Sequence, residues 1–119
     1  PLRMIIRLLL ESPSLASTVT IVNPNTLSPD KISGLTMLIE IHNYCLQVPH
    51  ANTATLFEAF RAHPHIHHLS KLFAAPIEDN IDLEAEYIAC FATLVRWQVN
   101  ARLDELMAKQ EFDPLTIDE

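Results

Sequence analysis

The chain has 119 residues, 49% of them hydrophobic, with one glycine, eight prolines, two cysteines and a formal net charge of −7. That is enough apolar chain to bury a real core, which excludes disorder, and a single glycine leaves an all-β protein without the turns its hairpins need. The acidic balance argues against holding a phosphate backbone, because duplex affinity depends on lysine and arginine neutralising phosphates, so no direct nucleic-acid contact is expected.

From the amino end onward the pattern is helical, and the fold expected is all-α: a compact multi-helix bundle, then one long protruding helix and a truncated helical hairpin. The bundle is assigned to residues 1–77 and the long helix with the start of the hairpin to residues 78–119. "LRMIIRLLLES" is the first helix. Pro13 permits one more turn through "SLAST", and "NPNTLSPDKISG" is a long connection with a turn of helix in it. "LTMLIEIHNYCLQV" is the strongest helix of this half, with Leu35, Leu38, Ile39, His42 and Leu46 on one face and Pro49 ending it. "TATLFEAFRAH" follows, with Thr53 as its cap and Leu56, Phe57 and Phe60 facing inward. "HIHHLSKLF" is a short helix stopped before Pro76.

The second half is one helix from about Ile81 to about Gln110, free of glycine and proline. At about 1.5 Å per residue it runs on the order of 43 Å, longer than the roughly 35 Å diameter of a compact domain of this size, so it overhangs. Its apolar band is broad at first (Leu83, Tyr87, Ile88, Cys90, Phe91, Leu94, Val95, Trp97), as if wrapped by neighbours. It then narrows to Val99, Leu103, Leu106 and Met107, a single stripe that needs a partner. The chain opens on Pro1, and "TIDE" at its end has the spacing of a capping box, so a fragment of a longer protein is expected, with a further helix returning antiparallel.

No segment reaches the roughly 18 apolar residues needed to cross a bilayer, and no signal peptide is expected in these residues. Cys45 and Cys90 sit in apolar helical patterns without C-x-x-C spacing and read as buried thiols of a cytoplasmic protein. Charge is uneven: residues 1–77 carry five basic against four acidic residues, and residues 78–119 carry three against eleven. The run "EDNIDLEAE" reads as carboxylates suited to the positive end of a helix dipole.

"RAHPHIHHLSKLF" places His63, His65, His67 and His68 around a proline. Pairs three or four apart could supply part of a zinc site, but no cysteine or carboxylate lies in the run, so a solvated helix start is the reading taken. There is no His-Asp dipeptide, P-loop, G-x-S-x-G or H-E-x-x-H. No catalytic residue, metal or cofactor is expected in these residues. Arg3 and Arg7 lie four apart on one helix face, flanked by Leu2 and Ile6, while Lys71 and Leu72 form another basic and apolar pair. If the fold joins these two helices, the result is a cationic rim beside an apolar pocket, suited to an acidic peptide ending in a hydrophobic residue; otherwise they are scattered solvated cations.

The segments "RMIIRLLLESPSLA", "KISGLTMLIEIHNYCLQVP", "TLFEAFR", "LSKLF" and "LVRWQVNARLDELMAKQ", in that order, resemble the carboxy-terminal, helicase-binding domain of the bacterial DnaG-type primase. The resemblance implies a six-helix-type bundle followed by a long helix and a terminal hairpin that docks on the amino-terminal domain of the replicative helicase. It also implies that the bundle receives the acidic, phenylalanine-ending tail of single-stranded-DNA-binding protein. Carried to this sequence, Arg3 and Lys71 hold the tail's carboxylates, and Leu2, Ile6 and Leu72 line its pocket; Arg7 joins them on helix geometry. Leu103, Leu106, Met107 and Phe112 are assigned to the helicase. The family's last hairpin helix and its zinc-binding and polymerase modules are not expected within these residues, so the resemblance implies a fragment that positions primer synthesis and does not perform it. An unrelated helical scaffold, or a metal domain built on the histidines, is the alternative.

Overall fold

Apart from the line of Arg3, Arg7 and Glu11, four residues apart, the first helix is apolar all round, and a helix of that kind has to be surrounded. In the computed structural model, which describes the backbone of residues 1–112 and side chains up to position 108, α1 (Leu2–Glu11) is the central helix. Ile5 through Leu10 are all buried in succession, the pattern of a helix covered on every side. It packs against α2 (Leu15–Thr18), α3 (Leu35–Gln47), α4 (Thr53–Ala59), α5 (Ile66–Ala74) and α6 (Leu83–Phe112). No strand occurs among the described residues.

The link from α2 to α3 makes one 3-10 turn at Pro24–Thr26, capped by the Asn23 side chain, which accepts from the Asn25 N–H at 3.1 Å. Val22, Leu27 and Ile32 pin this link to the core. Gly34 begins α3 with φ +82°, and a Cβ there would stand 3.0 Å from Leu2 Cδ2. A left-handed conformation at a crowded helix entry is a position for glycine.

Three local expectations are corrected. The buried side of α3 is Leu35, Leu38, Ile41, His42 and Cys45. Ile39 is half-buried and Leu46 is exposed, because the stripe leans towards α1 and α2 rather than towards the side that periodicity alone picked out. The cap of α4 is Asn52, whose carboxamide oxygen accepts from the Thr55 N–H at 2.8 Å. Thr53 is the first helical residue, and its hydroxyl donates to the Leu10 carbonyl at 2.7 Å, tying α4 to α1. Along α6, Ile88, Val95 and Trp97 are exposed rather than wrapped. Only Tyr87, Cys90 and Leu94 enter the core, on the one side that faces α1.

α6 starts at Leu83, two residues later than expected, because Asp82 caps it: its carboxylate accepts from the Ala85 N–H at 3.1 Å. Glu84 and Glu86 occupy the first turn, where carboxylates suit the helix dipole. With 30 residues, α6 is about 45 Å long. Past Leu94 none of its described residues is buried, and the molecule measures 58 × 32 × 25 Å. The connection before α3 braces the projecting part: the Ser28 N–H donates to Gln98 Oε1, and Lys31 pairs with Glu105. The terminal capping box and the hairpin turn lie outside the described residues.

Candidate functional site

α5 lies against α1, and a cavity of about 410 Å³ opens between them, lined by Arg3, His68, Lys71, Leu72 and Ala75. Arg3 comes from the exposed first turn of α1. The other four follow the i, i+3, i+4, i+7 spacing of a single helix face, which runs to the end of α5. Leu72 is half-buried and gives an apolar floor, while Arg3, His68 and Lys71 stand exposed around it. None of these lining residues is acidic. Two other clefts are smaller, about 230 and 280 Å³, and each has carboxylates in its wall.

Of the six residues assigned to an acidic tail, the structure therefore gathers Arg3, Lys71 and Leu72. The other three do not line the cavity. Leu2 approaches Gly34 at the start of α3. Ile6 is buried in the core. Arg7, one turn deeper than Arg3, is only 8% exposed. Its Nε donates to the Ala75 carbonyl at 2.9 Å, its Nη2 lies 3.1 Å from Glu11, and its Cζ stands 4.7 Å from the Phe73 ring centroid. Arg7 thus clamps the end of α5 to α1 from behind the cleft, and its Nη1 is buried without a partner.

The histidines form a chain rather than a ligand set. His63 Nε2 lies 2.7 Å from Glu40 Oε2, a carboxylate of α3 distant in sequence. His63 Nδ1 accepts the His65 N–H at 3.0 Å. The rings of His63 and His65, then of His65 and His68, follow at 5.6 and 5.7 Å. Among the described residues no three histidines, cysteines or carboxylates converge on a common point. Burial pushes the Cys45 and Cys90 thiols up to about 11, Cys90 also feeling Glu86, so both stay protonated and unreactive at neutral pH.

His68 and Ala75 are the cleft residues that the sequence reading missed. Their signal was available: stepping three back and four on from Lys71 and Leu72 along one helix face reaches both.

Farther along, Leu103, Leu106 and Met107 on α6 are 51%, 52% and 62% exposed, with Val99 beside them. The Phe112 side chain lies outside the described residues. No described helix is long and apolar enough to cross a membrane.

No curated protein and no solved structure matches this chain. The family model for the DnaB-binding region of the DNA primase DnaG matches residues 2–119. An all-helical bundle with a long last helix and a match over nearly its whole length together show that the chain belongs to the DnaB-binding domain family of the DNA primase DnaG.

Proposed function

We propose that this domain is a two-ended adaptor: the distal part of α6 docks on the amino-terminal domain of the replicative helicase, and the cleft between α1 and α5 captures the acidic tail of single-stranded-DNA-binding protein. The helicase is the partner of the family; the tail and the division of labour are our reading. The observation that carries it is the convergence of Arg3 and Lys71, from two separate helices, on one cavity floored by Leu72. Cations over an apolar floor suit a carboxylate-rich peptide with a hydrophobic end, because the charges steer and orient it while the floor takes its last side chain.

The domain performs no chemistry of its own. It brings the primer-synthesising part of the primase to the replication fork, in the cytoplasm. Its acidic second half keeps it from competing for the DNA on which its partners work.

Fluorescence anisotropy with a labelled acidic peptide ending in phenylalanine tests the cleft. Arg3→Ala and Lys71→Ala are each expected to weaken binding by about 1 to 3 kcal/mol, the range for hydrogen bonds to charged groups. Raising the salt is expected to weaken the wild type further, since exposed charges are screened. Unchanged affinity in both variants would remove the tail from this site.

A further inference from the structure

We infer that His68 is a specificity-determining residue of this cleft, a third donor that reads an acidic peptide beside Arg3 and Lys71; the inference rests on the reading of the cleft given above. Arg3 and Lys71 carry long side chains and stand exposed. Their long stems carry the charge over a wide arc, so the two cations can follow carboxylates in many positions, even though the head of Arg3 is itself a planar fork. An imidazole is short and planar and presents its N–H in one place.

A row of neighbouring rings flanks His68 on one side. Since His63 Nδ1 accepts the His65 N–H, its ring proton sits on Nε2, where it is donated to Glu40. The His65 ring then lies between the rings of His63 and His68. A row of rings therefore runs from α3 to the lip of the cleft. His68 itself is three residues before Lys71 on the same face of α5, whereas the neighbouring exposed His67 does not line the cavity.

The ligand this arrangement suits is a peptide with one carboxylate at a fixed distance from an apolar carboxy-terminal side chain resting on Leu72 and Ala75. A uniform polyanion does not meet that condition. His68 separates the two classes, while Arg3 and Lys71 serve both.

The test is anisotropy with the full chain, using a labelled acidic peptide ending in phenylalanine and, as a probe of charge alone, labelled polyglutamate of equal length. His68→Ala is expected to weaken the phenylalanine-ending peptide about fivefold to tenfold and polyglutamate less than about twofold. His68→Gln, which keeps an N–H donor, is expected to recover most of the loss, and His67→Ala to change neither. Equal losses on both probes overturn the inference, since they reduce His68 to one more charge. So does binding that withstands His68→Ala but falls in Arg3→Ala and Lys71→Ala, and the reading of the cleft then stands. Indifference of the peptide to all three substitutions overturns both. Circular dichroism confirms that each variant is folded.

Discussion

Arg3 and Arg7 are one helical turn apart and have opposite surroundings, which separates their effects. Arg3 is exposed at the cleft, so Arg3→Ala is expected to change stability by less than about 0.5 kcal/mol. Arg7 holds the Ala75 carbonyl and covers the Phe73 ring from a buried position. Arg7→Ala removes a charged hydrogen bond, a cation over an aromatic face and the packing of a long stem, and is expected to cost about 2 to 4 kcal/mol in urea denaturation. Its pair with the half-exposed Glu11 adds little. His42 offers a second test. Burial lowers its affinity for a proton, and although Asn43 and the Val22 backbone partly offset this, neither makes a sound hydrogen bond to the ring. In the unfolded chain the ring titrates near its ordinary value of about 6.5. Below that pH the unfolded state binds more protons than the folded one, so stability falls as pH falls from about 6.5 through the lowered folded value. His42→Leu is expected to lose less stability than the wild type between pH 7.5 and pH 5, measured by urea midpoints. Equal losses would mean that the ring is not held neutral.

Each helix boundary has a local cause, and most of these causes can be written down from the chain alone. Proline punctuation separates α1 from α2 and ends α5, and Asp82 with its following glutamates starts α6. The cap of α4 was legible as well, since asparagine is the stronger capping residue and Asn52 precedes Thr53. Thr53 was misread because the carbonyl that its hydroxyl meets belongs to Leu10, 43 residues away. Gly34 combines both kinds of cause: a positive φ at the entry to α3 and the close approach of Leu2. Gly34→Ala is expected to cost about 1 to 2 kcal/mol, chiefly from the left-handed backbone. Because shortening Leu2 relieves the contact but not the φ, most of this cost is expected to persist when Gly34→Ala is made in a Leu2→Ala background, by thermal or urea denaturation. Full rescue would assign the cost to the contact instead.

One end of α6 closes the core and the other stands clear of it, which separates folding from the docking proposed for the distal end. Leu106 is exposed and far from the buried residues Tyr87, Cys90 and Leu94. Leu106→Glu is therefore expected to leave stability within about 0.5 kcal/mol. It is expected to weaken binding to the helicase amino-terminal domain at least about tenfold, because a charge would enter an apolar contact; surface plasmon resonance with immobilised helicase measures it, and unchanged affinity would move the docking face elsewhere. What the sequence by itself determined is the all-helical character, the order of the helices, the overhang of the last one and the family. Periodicity, proline placement and the order of segments are local or linear properties, and they survive without knowledge of packing. Only the tertiary structure decided that Arg7 is buried, that Glu40 meets His63, that the outer side of α6 is left uncovered and that the Lys71 face of α5 meets Arg3 of α1. Each of those depends on the direction in which one helix crosses another, and that direction is fixed by contacts between residues far apart in the chain.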